Sequence, residues 1–234
     1  MIKKIHELIF ESVNNAAHLA SSKEYSEVKT LKTLEGIEVG SIQVYRGDKI
    51  KKASFTEFNF MHSLGFTFWA CTLAPEEAYN IPRFMTEISL TKDGVLAVDC
   101  DLYPRVDLVM DLKYFDTYYA PLDAMYKEIV SEKKLEVIPV PNGWTRMIGS
   151  PYLVWAKATP DKYDVAYTWV KTYLGAWLKI YSEAQPVSPA LQDMIGKRDN
   201  IIRNLAKERE PFKPMIEKIF GIERTDKIFD AISF

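Results

Sequence analysis

The sequence predicts an α+β fold in which helices cover both faces of one antiparallel sheet. Apolar residues recur at helical spacing near the N-terminus, alternate with polar ones through the middle of the chain, and return to helical spacing after residue 111. The alternating segments are joined by short turns, and such strands are antiparallel because a parallel connection needs about a dozen residues or more. A run of strands with helices before and after it is typical of the α+β class. The chain shows no repeat and no linker, so we expect one domain over residues 1–234.

The first predicted element is an amphipathic helix near the N-terminus. Glu7 and Glu11 interrupt its apolar residues, whereas a signal peptide needs an uninterrupted apolar stretch. The residues that share one helical face are Ile2, Ile5, Leu8, Ile9, Ser12, Val13 and Ala16. No later segment reaches the roughly 18 consecutive apolar residues of a membrane span. We therefore expect a cytoplasmic protein without a membrane partner.

The middle of the chain contains segments with the alternation and the β-branched and aromatic residues of strands. They are residues 36–45, 53–60, 66–73, 83–90 and 95–102. Asp93-Gly94 lies between the last two segments and indicates a two-residue hairpin turn. With that turn setting the register, we expect Glu87 to lie opposite Cys100, and Asp99 and Asp101 to point to the other face.

Helical spacing dominates the C-terminal half. The predicted helices span residues 114–129, 161–181 and 188–205. Ser188 and Pro189 are an N-cap residue and a first-turn proline, which mark the start of the last of these helices. Pro211 and Pro214 end it, and two short helices finish the chain. Residues 152–156 could add one more strand.

The composition excludes some classes of partner. Thirty Lys and Arg residues are balanced by 32 Asp and Glu, for a formal net charge of −2. This leaves no basic field to hold a nucleic acid backbone. With 12 Phe, 13 Tyr and 5 Trp, the chain has too much ring surface for a disordered protein. Two cysteines cannot form a disulfide framework, which favours a reducing compartment.

Metal and nucleotide chemistry of the usual kinds is not predicted. The histidines are His6, His18 and His62, and Cys71 and Cys100 are 29 positions apart, so the clustered spacing of metal ligands does not occur. The glycine-rich phosphate motifs and the serine nucleophile elbow do not occur in the sequence either. The cysteines are better interpreted as small buried strand residues than as catalysts.

Carboxylates inside predicted strands are the remaining candidates for chemistry. Glu87 lies among large apolar residues in the segment Phe84–Leu90. A carboxyl group in such surroundings loses hydration, its pKa rises, and it can hold a proton near neutral pH, as a general acid must. The alternative is that this face of the sheet is solvated at one edge and that Glu87 has no chemical role.

An ordered set of residues resembles the ferredoxin-dependent bilin reductases. The set comprises Cys71, Pro75, Pro82, Glu87, Gly94-Val95, Asp101-Leu102, Pro104, Ser150–Lys157, Ser182–Gln185, Met215–Gly221 and Phe229-Asp230. These scattered identities cover most of residues 52–234. The resemblance implies an α/β/α sandwich with a central antiparallel sheet. It also implies a biliverdin-like open-chain tetrapyrrole bound between the sheet and the C-terminal helices.

The resemblance further implies how the reaction would proceed. Members of this family bind no metal and no flavin, receive single electrons from reduced ferredoxin, and protonate the bound bilin radical. Glu87 falls where the family has a catalytic aspartate, and the related red chlorophyll catabolite reductases are similar in using a glutamate there. Asp101 lies in a matching stretch, and Asp101 or a carboxyl group of the substrate is the next candidate acid.

Other positions match the family unevenly. Ala70 falls where members that form phycocyanobilin have a histidine, and Thr172 falls where many members have a second aspartate. Glu57 matches a nearby strand glutamate only if one residue is gapped. Lys157 matches a basic residue that pairs with a bilin propionate, and Arg203, with Arg146, is a further candidate for that role. Each of these three residues could instead be a solvated surface charge, and for the two arginines that interpretation is favoured.

Basic residues cluster in two places that could dock an acidic ferredoxin. The first cluster is Lys49, Lys51 and Lys52, and the second is Lys197, Arg198, Arg203, Lys207 and Arg209. The resemblance places the helix that carries the second cluster beside the ligand pocket, so we expect docking there. The alternative is that each cluster is an ordinary solvated face.

Three functions follow from these observations. The first is ferredoxin-dependent reduction of a bilin with Glu87 as the principal proton donor. The second is a non-catalytic bilin-binding or carrier protein on the same fold, because Ala70 and Thr172 replace a histidine and an aspartate of the family. The third is a sandwich fold with an unrelated apolar ligand. The sequence does not indicate which double bond is reduced or how many electrons are delivered.

Overall fold

The computed structural model describes residues 1–131 and 133–233. Within them the chain forms an antiparallel sheet with the strand order β1-β3-β4-β5-β6-β7-β9-β8, and β2 pairs with β3. The strands are β1 (Ala20–Ser21), β2 (Thr30–Lys32), β3 (Glu38–Gly47), β4 (Ile50–Phe60), β5 (Phe66–Pro75), β6 (Arg83–Thr91), β7 (Leu96–Tyr103), β8 (Glu136–Ile138) and β9 (Val154–Ala158). The predicted strands are therefore present, with small changes at their ends.

Helices precede the sheet and follow it. They are α1 (Ile2–Ala17), α2 (Leu112–Tyr118), α3 (Asp123–Val130), α4 (Gly143–Ile148), α5 (Tyr163–Glu183), α6 (Pro189–Arg209), α7 (Lys213–Phe220) and α8 (Ile222–Ile232). The helix predicted over residues 114–129 is interrupted by a 3₁₀ turn at Ala120–Leu122. Pro121 explains the break, because proline has no N–H to donate in a helix interior. Among the described residues, none of the helices is long and apolar enough to cross a membrane.

One face of the sheet packs against α1 and α5. The α1 side chains of Ile5, Ile9 and Val13 are fully buried at the spacing that the sequence predicts. Trp169 and Trp177 of α5 belong to the same apolar cluster. Both cysteines are buried in this cluster as free thiols, in agreement with their interpretation as small core residues.

The opposite face is covered by the last three helices. Phe58 and Phe60 of β4 pack against Phe220 of α7. Further along the sheet, Ile202 of α6 packs against Tyr103 of β7. Helices on both faces of an antiparallel sheet confirm the predicted α+β class and the α/β/α sandwich.

The start of α6 confirms its sequence signal. The Ser188 Oγ accepts a hydrogen bond from the Leu191 N–H at 3.4 Å, and Pro189 occupies the first turn. A serine N-cap satisfies one of the N–H groups that a helix leaves without a partner in its first turn. This fixes where α6 begins to cross the sheet.

The predicted register of the β6–β7 hairpin is wrong by one residue. The strands pair Leu90 with Leu96, and the Thr91 N–H donates to the Val95 carbonyl at 3.1 Å, so the loop between them has one residue more than the two-residue turn. Gly94 has a φ of +82°, which glycine adopts without strain. Because strand side chains alternate between faces, a shift by one residue moves each to the other face.

The corrected register changes the neighbours of Glu87. It lies directly opposite Asp99, whereas Cys100 lies opposite Thr86. Asp99 and Asp101 therefore share the face of Glu87, in contrast to the prediction that they point away from it.

Candidate active site

A band of small, polar and acidic side chains crosses the sheet face that α6, α7 and α8 cover. Thr56 pairs with Ala70, Ala70 with Glu87, and Glu87 with Asp99. Directly paired residues point to the same face of a sheet. The neighbouring row, two residues along each strand, consists of Ser54, Thr72, Met85 and Asp101. A sheet face under helices is normally apolar, so a polar band there indicates a site.

Most of this band is buried. Thr56 and Thr72 are buried, as are Asp99 and Asp101 with exposed fractions of 5% and 1%, while Glu87 is half-buried. Buried carboxyl groups are rare unless they are paired or functional. Two buried carboxyl groups beside a half-buried one, on one face of two adjacent strands, are therefore a candidate for proton chemistry.

Backbone and hydroxyl donors hold two of the carboxyl groups in place. The Glu87 N–H donates to Asp99 Oδ1 at 2.6 Å. The Ser150 N–H and Oγ donate to Asp101 at 2.8 and 2.5 Å. Ser150 follows α4, so the loop after α4 fixes the Asp101 carboxylate, while the neighbouring strand fixes that of Asp99.

The carboxyl groups of Glu87, Asp99 and Asp101 have raised pKa values, so they hold their protons more strongly than exposed carboxyl groups do. Burial raises the pKa of Glu87 well above its usual range, and the carboxyl groups of Asp99 and Glu210 add to the rise. Burial also raises the pKa of Asp99 to about 7, although the Glu87 N–H lowers it in part. Burial raises the pKa of Asp101 to about 6 against the lowering effect of its hydrogen bonds from Ser150. These shifts have the direction expected when charge is removed from water.

The carboxyl cluster is not neutralised by ion pairs within the described part of the chain. Among residues 1–131 and 133–233, no lysine or arginine makes an ion pair with Glu87, Asp99, Asp101 or Glu210. Glu210 follows the C-terminus of α6 and brings a further carboxyl group toward Glu87. Beyond the internal donors to Asp99 and Asp101, such a group of acids lowers its electrostatic energy by holding protons or by binding donors and cations from outside.

Cations lie along one side of the acidic band. Lys52 is on β4, buried, on the same face as Ser54 and Thr56, and its Nζ donates to the Asp230 carbonyl of α8 at 2.8 Å. Burial lowers the pKa of Lys52 to about 7, and the nearby Arg203 of α6 lowers it further. The face thus has acids at its centre and a basic margin under the C-terminal helices.

Two buried arginines fasten α6 to the sheet. Arg83 of β6 and Arg105, after β7, both bind the carboxylate of Asp199 on α6, the latter at 2.6 Å. Arg105 also donates to the carbonyls of Glu76 and Tyr79 at 3.0 Å each. Because Arg83 shares the face of Glu87, this cluster positions the helix that forms one wall of the site.

The structure brings some of the predicted site residues together. Glu87, Ala70 and Asp101 share the polar band, and Arg203 approaches it from α6 beside Lys52. Lys157 is on the same face but lies on β9 near the sheet edge, is exposed, and pairs with Glu136 at 3.6 Å. It also lines an open groove of about 820 Å³ whose lining does not include Glu87.

Glu57 and Thr172 do not join the site. Glu57 lies between Thr56 and Phe58 on β4, so it points to the face of α1, where its charge acts on His6. Thr172 is exposed on α5, which packs on that same face, and its hydroxyl donates to the Thr168 carbonyl. Both placements follow from strand alternation and from which helix covers which face, and neither residue contacts the polar band.

The first predicted basic cluster is dispersed in the structure. Lys49 donates to the carbonyls of Tyr181 and Ala184, Lys51 pairs with Glu77, and Lys52 is buried. The second cluster does lie along α6, where Lys197 and Arg209 are exposed. Arg198, in contrast, is half-buried and donates to the Pro104 carbonyl at 3.3 Å.

Sequence reasoning missed Asp99, Lys52 and Glu210 as members of the site. The spacing of Asp99 and Asp101 already indicated that they share a face, and a three-residue hairpin would have placed them with Glu87. Lys52 gave no separate signal, because it sits in a run of lysines. Among the described residues, no group of three or more His, Cys, Asp or Glu side chains is arranged to hold a metal ion.

Comparison with known proteins gives consistent matches along most of the chain. Two curated relatives are phycoerythrobilin:ferredoxin oxidoreductases of Prochlorococcus marinus. The protein of strain MIT 9301 is 20% identical and that of strain MIT 9215 is 28% identical, each over 200 residues that cover 82% of this chain and 72% of the relative. The crystal structure of tomato phytochromobilin synthase in complex with biliverdin superposes with a TM-score of 0.84 at 16% identity. It covers 98% of this chain and 81% of the tomato chain.

A family model matches almost the whole sequence. The model describes the red chlorophyll catabolite reductases, and it matches residues 3–233. The predicted resemblance to the bilin reductases and to this related group is thereby confirmed. The chain belongs to the red chlorophyll catabolite reductase family.

Proposed function

We propose that this protein reduces an open-chain tetrapyrrole with electrons from reduced ferredoxin and with Glu87 as the principal proton donor. The observation that carries the proposal is the buried carboxyl cluster around Glu87 on the sheet face beneath α6, α7 and α8. The family match and the names of the curated relatives support the reaction class. A biliverdin-like bilin is the proposed substrate.

The shape and chemistry of the face suit such a ligand. A bilin is a long, largely apolar conjugated molecule whose pyrrole N–H groups donate hydrogen bonds. Ala70 and Thr72 leave the centre of the band free of large side chains, and Glu87 and Asp99 supply acceptors or protons there. Phe58 and Phe68 lie one row further along the same face and offer apolar contact.

Glu87 has the properties of a proton donor to a reduced bilin. Reduction of one double bond adds two electrons and two protons, and ferredoxin supplies electrons one at a time. Because burial raises the pKa of Glu87 well above its usual range, its carboxyl group favours the protonated form and can give that proton when the bilin gains electron density. Ala70 opposite Glu87 provides no second titrating group, so the proton relay of histidine-containing members does not apply to this chain.

The propionates of a bilin need cations or solvent. Lys157 is our proposed partner for one propionate, as the family resemblance implies, and its exposed position at the sheet edge would leave that propionate partly solvated. Arg203 and the buried Lys52 form a second basic area on the other side of the band. A charge-assisted hydrogen bond to a carboxylate is among the stronger contacts available in a protein.

Anaerobic titration with biliverdin followed by reduced ferredoxin tests the proposal. We expect a visible complex with a shifted absorption band, which then bleaches or converts when reduced ferredoxin is added. A stable complex that never converts would contradict turnover and favour the alternative, a bilin-binding carrier on the same fold. The absence of any visible complex would contradict both and favour an unrelated apolar ligand.

A further inference from the structure

Asp99 is a buried acid beside Glu87 to which the proposed reaction assigns no proton-transfer step. It lies directly opposite Glu87 in the β6–β7 pair, and its Oδ1 accepts from the Glu87 N–H at 2.6 Å. Residues directly opposite each other in an antiparallel pair have Cβ atoms about 4.5–5.5 Å apart. The two carboxyl groups therefore share one small region of the sheet face.

Two further observations separate Asp99 from an ordinary structural acid. One oxygen of its carboxyl group, Oδ1, accepts the hydrogen bond from the Glu87 N–H. The indole of Trp155, opposite Asp99 on β9, lowers the pKa of Asp99 only in part. In the described part of the chain, the groups with the largest electrostatic effect on the pair are Asp101, Tyr103 and Glu210, with Cys100 on the reverse face, and none of these four is a cation. Like charges at close range cannot all ionise, so the pair retains protons.

We infer that Glu87 and Asp99 form a carboxyl dyad in which Asp99 stores the proton that recharges Glu87 during one catalytic cycle. The inference rests on the proposed bilin reduction. Glu87 gives its proton to the bilin after the first electron arrives, and the Asp99 carboxyl then passes its proton to the Glu87 carboxylate. Glu87 gives this second proton after the second electron arrives.

The electrons and protons of this cycle balance. Two one-electron-reduced ferredoxins supply two electrons and become oxidised, and the bilin double bond gains two electrons and two protons to become a single bond. Both protons leave the enzyme through Glu87, the second having come from Asp99. Water restores the protons of the two carboxylates at the end of the cycle. Asp99 thus acts through Glu87 and is a positioning and proton-supplying residue.

Infrared titration of the ligand-free protein tests the dyad without any turnover. The C=O stretch of protonated carboxyl groups is followed against pH in the wild type, Asp99→Asn and Glu87→Gln, with the exposed Asp116→Asn as a control. The contributions of Glu87 and Asp99 to this band are identified by difference from the two variants, and we expect them to disappear in two separate steps in the wild type. In Asp99→Asn the Glu87 band should disappear in one step at lower pH, because a neighbouring negative charge has been removed. An unchanged Glu87 titration in Asp99→Asn would overturn the dyad.

Single-turnover kinetics then test the direction of proton flow. With reduced ferredoxin and bound biliverdin, Asp99→Asn should form the one-electron-reduced bilin at the wild-type rate and slow the following step by about 10²-fold or more. Asp99→Glu should recover most of that rate. Equal rates for both steps in Asp99→Asn and the wild type would overturn the inference.

Folding and function failures remain distinguishable. In Asp99→Asn the side-chain amide oxygen can still accept from the Glu87 N–H. Should Asp99→Asn nevertheless unfold, Asp99→Ser keeps an acceptor there for the same two measurements. If the wild type binds biliverdin without reducing it, the proposed function fails, but the infrared titration still decides whether the two carboxyl groups are coupled.

Discussion

At the scale of single residues, the carboxyl band makes the stability of the ligand-free protein depend on pH. Asp101 and Asp99 have pKa values of about 6 and about 7 in the folded chain, compared with about 3.9 for an ordinary aspartate. At pH values between about 4 and about 7, the folded state therefore binds more protons than the unfolded state. The stability of the folded state falls as the pH rises through this range. The cause is the cost of ionising buried groups.

We expect Asp99→Asn to remove part of this pH dependence. Urea unfolding at pH 5 and pH 8 should give a smaller loss of unfolding free energy in the variant than in the wild type. His6, whose pKa is lowered by burial, acts in the opposite sense, but it is present in both proteins and cancels in the comparison. An identical loss in both proteins would contradict a raised pKa at Asp99.

Lys157 provides a second residue-scale prediction. We expect Lys157→Met to weaken binding of biliverdin about tenfold while changing the affinity for biliverdin dimethyl ester much less, because only the diacid can form a charge-assisted hydrogen bond. Absorbance titrations with both ligands measure the effect, and Lys3→Met on α1 is a matched exposed control. Equal weakening for both ligands would rule out a propionate contact.

At the scale of elements, α6 depends on one carboxylate. Asp199 is the shared partner of two fully buried guanidinium groups, on Arg83 and Arg105. We expect Asp199→Asn to lower the free energy of unfolding by about 3–5 kcal/mol, because it leaves buried charges without compensation. Asp193→Asn, on the exposed side of the same helix, should change it by less than about 0.5 kcal/mol.

Chemical denaturation of both variants measures this difference. A loss of similar size in Asp193→Asn and Asp199→Asn would show that the buried cluster is not what holds α6 against the sheet. Bilin affinity should also fall in Asp199→Asn, since α6 forms a wall of the site.

The helices and strands were largely predictable from the sequence. Which face of the sheet each strand residue occupies was not. Helical and alternating periodicity located the main helices and strands, and Ser188-Pro189 located the start of α6. The sheet face on which each β7 side chain lies depended on whether the loop around Gly94 has two or three residues. Local sequence signals do not determine this loop length. This single residue decides whether Asp99 joins Glu87 or the core.

Tertiary placement explains the remaining differences at the site. Glu57 and Thr172 were assigned by resemblance, but the face that each occupies depends on strand alternation and on the packing of α5. The shared binding of Asp199 by Arg83 and Arg105 joins residues that are 116 and 94 positions apart in the chain. Periodicity carries no information about such contacts.

At the scale of the whole molecule, the proposed function requires this nearly neutral chain to dock an acidic ferredoxin through local charge. Lys197 and Arg209 are exposed on α6, which lies on the face of the carboxyl band. We expect the double variant Lys197→Glu and Arg209→Glu to slow ferredoxin-driven turnover severalfold at low ionic strength, mainly through the association rate. Bilin affinity should not change.

Salt dependence and a control on the opposite face make this prediction specific. Added salt should reduce the difference between the double variant and the wild type, and Lys3→Glu on α1 should behave as the wild type does. If the double variant and Lys3→Glu slow turnover equally, ferredoxin docks elsewhere.

The most direct test of Glu87 as the proton donor is single turnover of bound biliverdin by Glu87→Gln. The substitution keeps the size and hydrogen-bonding shape of the side chain but removes its transferable proton. We expect an intact biliverdin complex and a loss of about 10²–10⁴-fold in the rate of conversion by reduced ferredoxin, with the exposed Glu38→Gln at the wild-type rate. Conversion by Glu87→Gln at the wild-type rate would contradict the assignment of Glu87 as the proton donor.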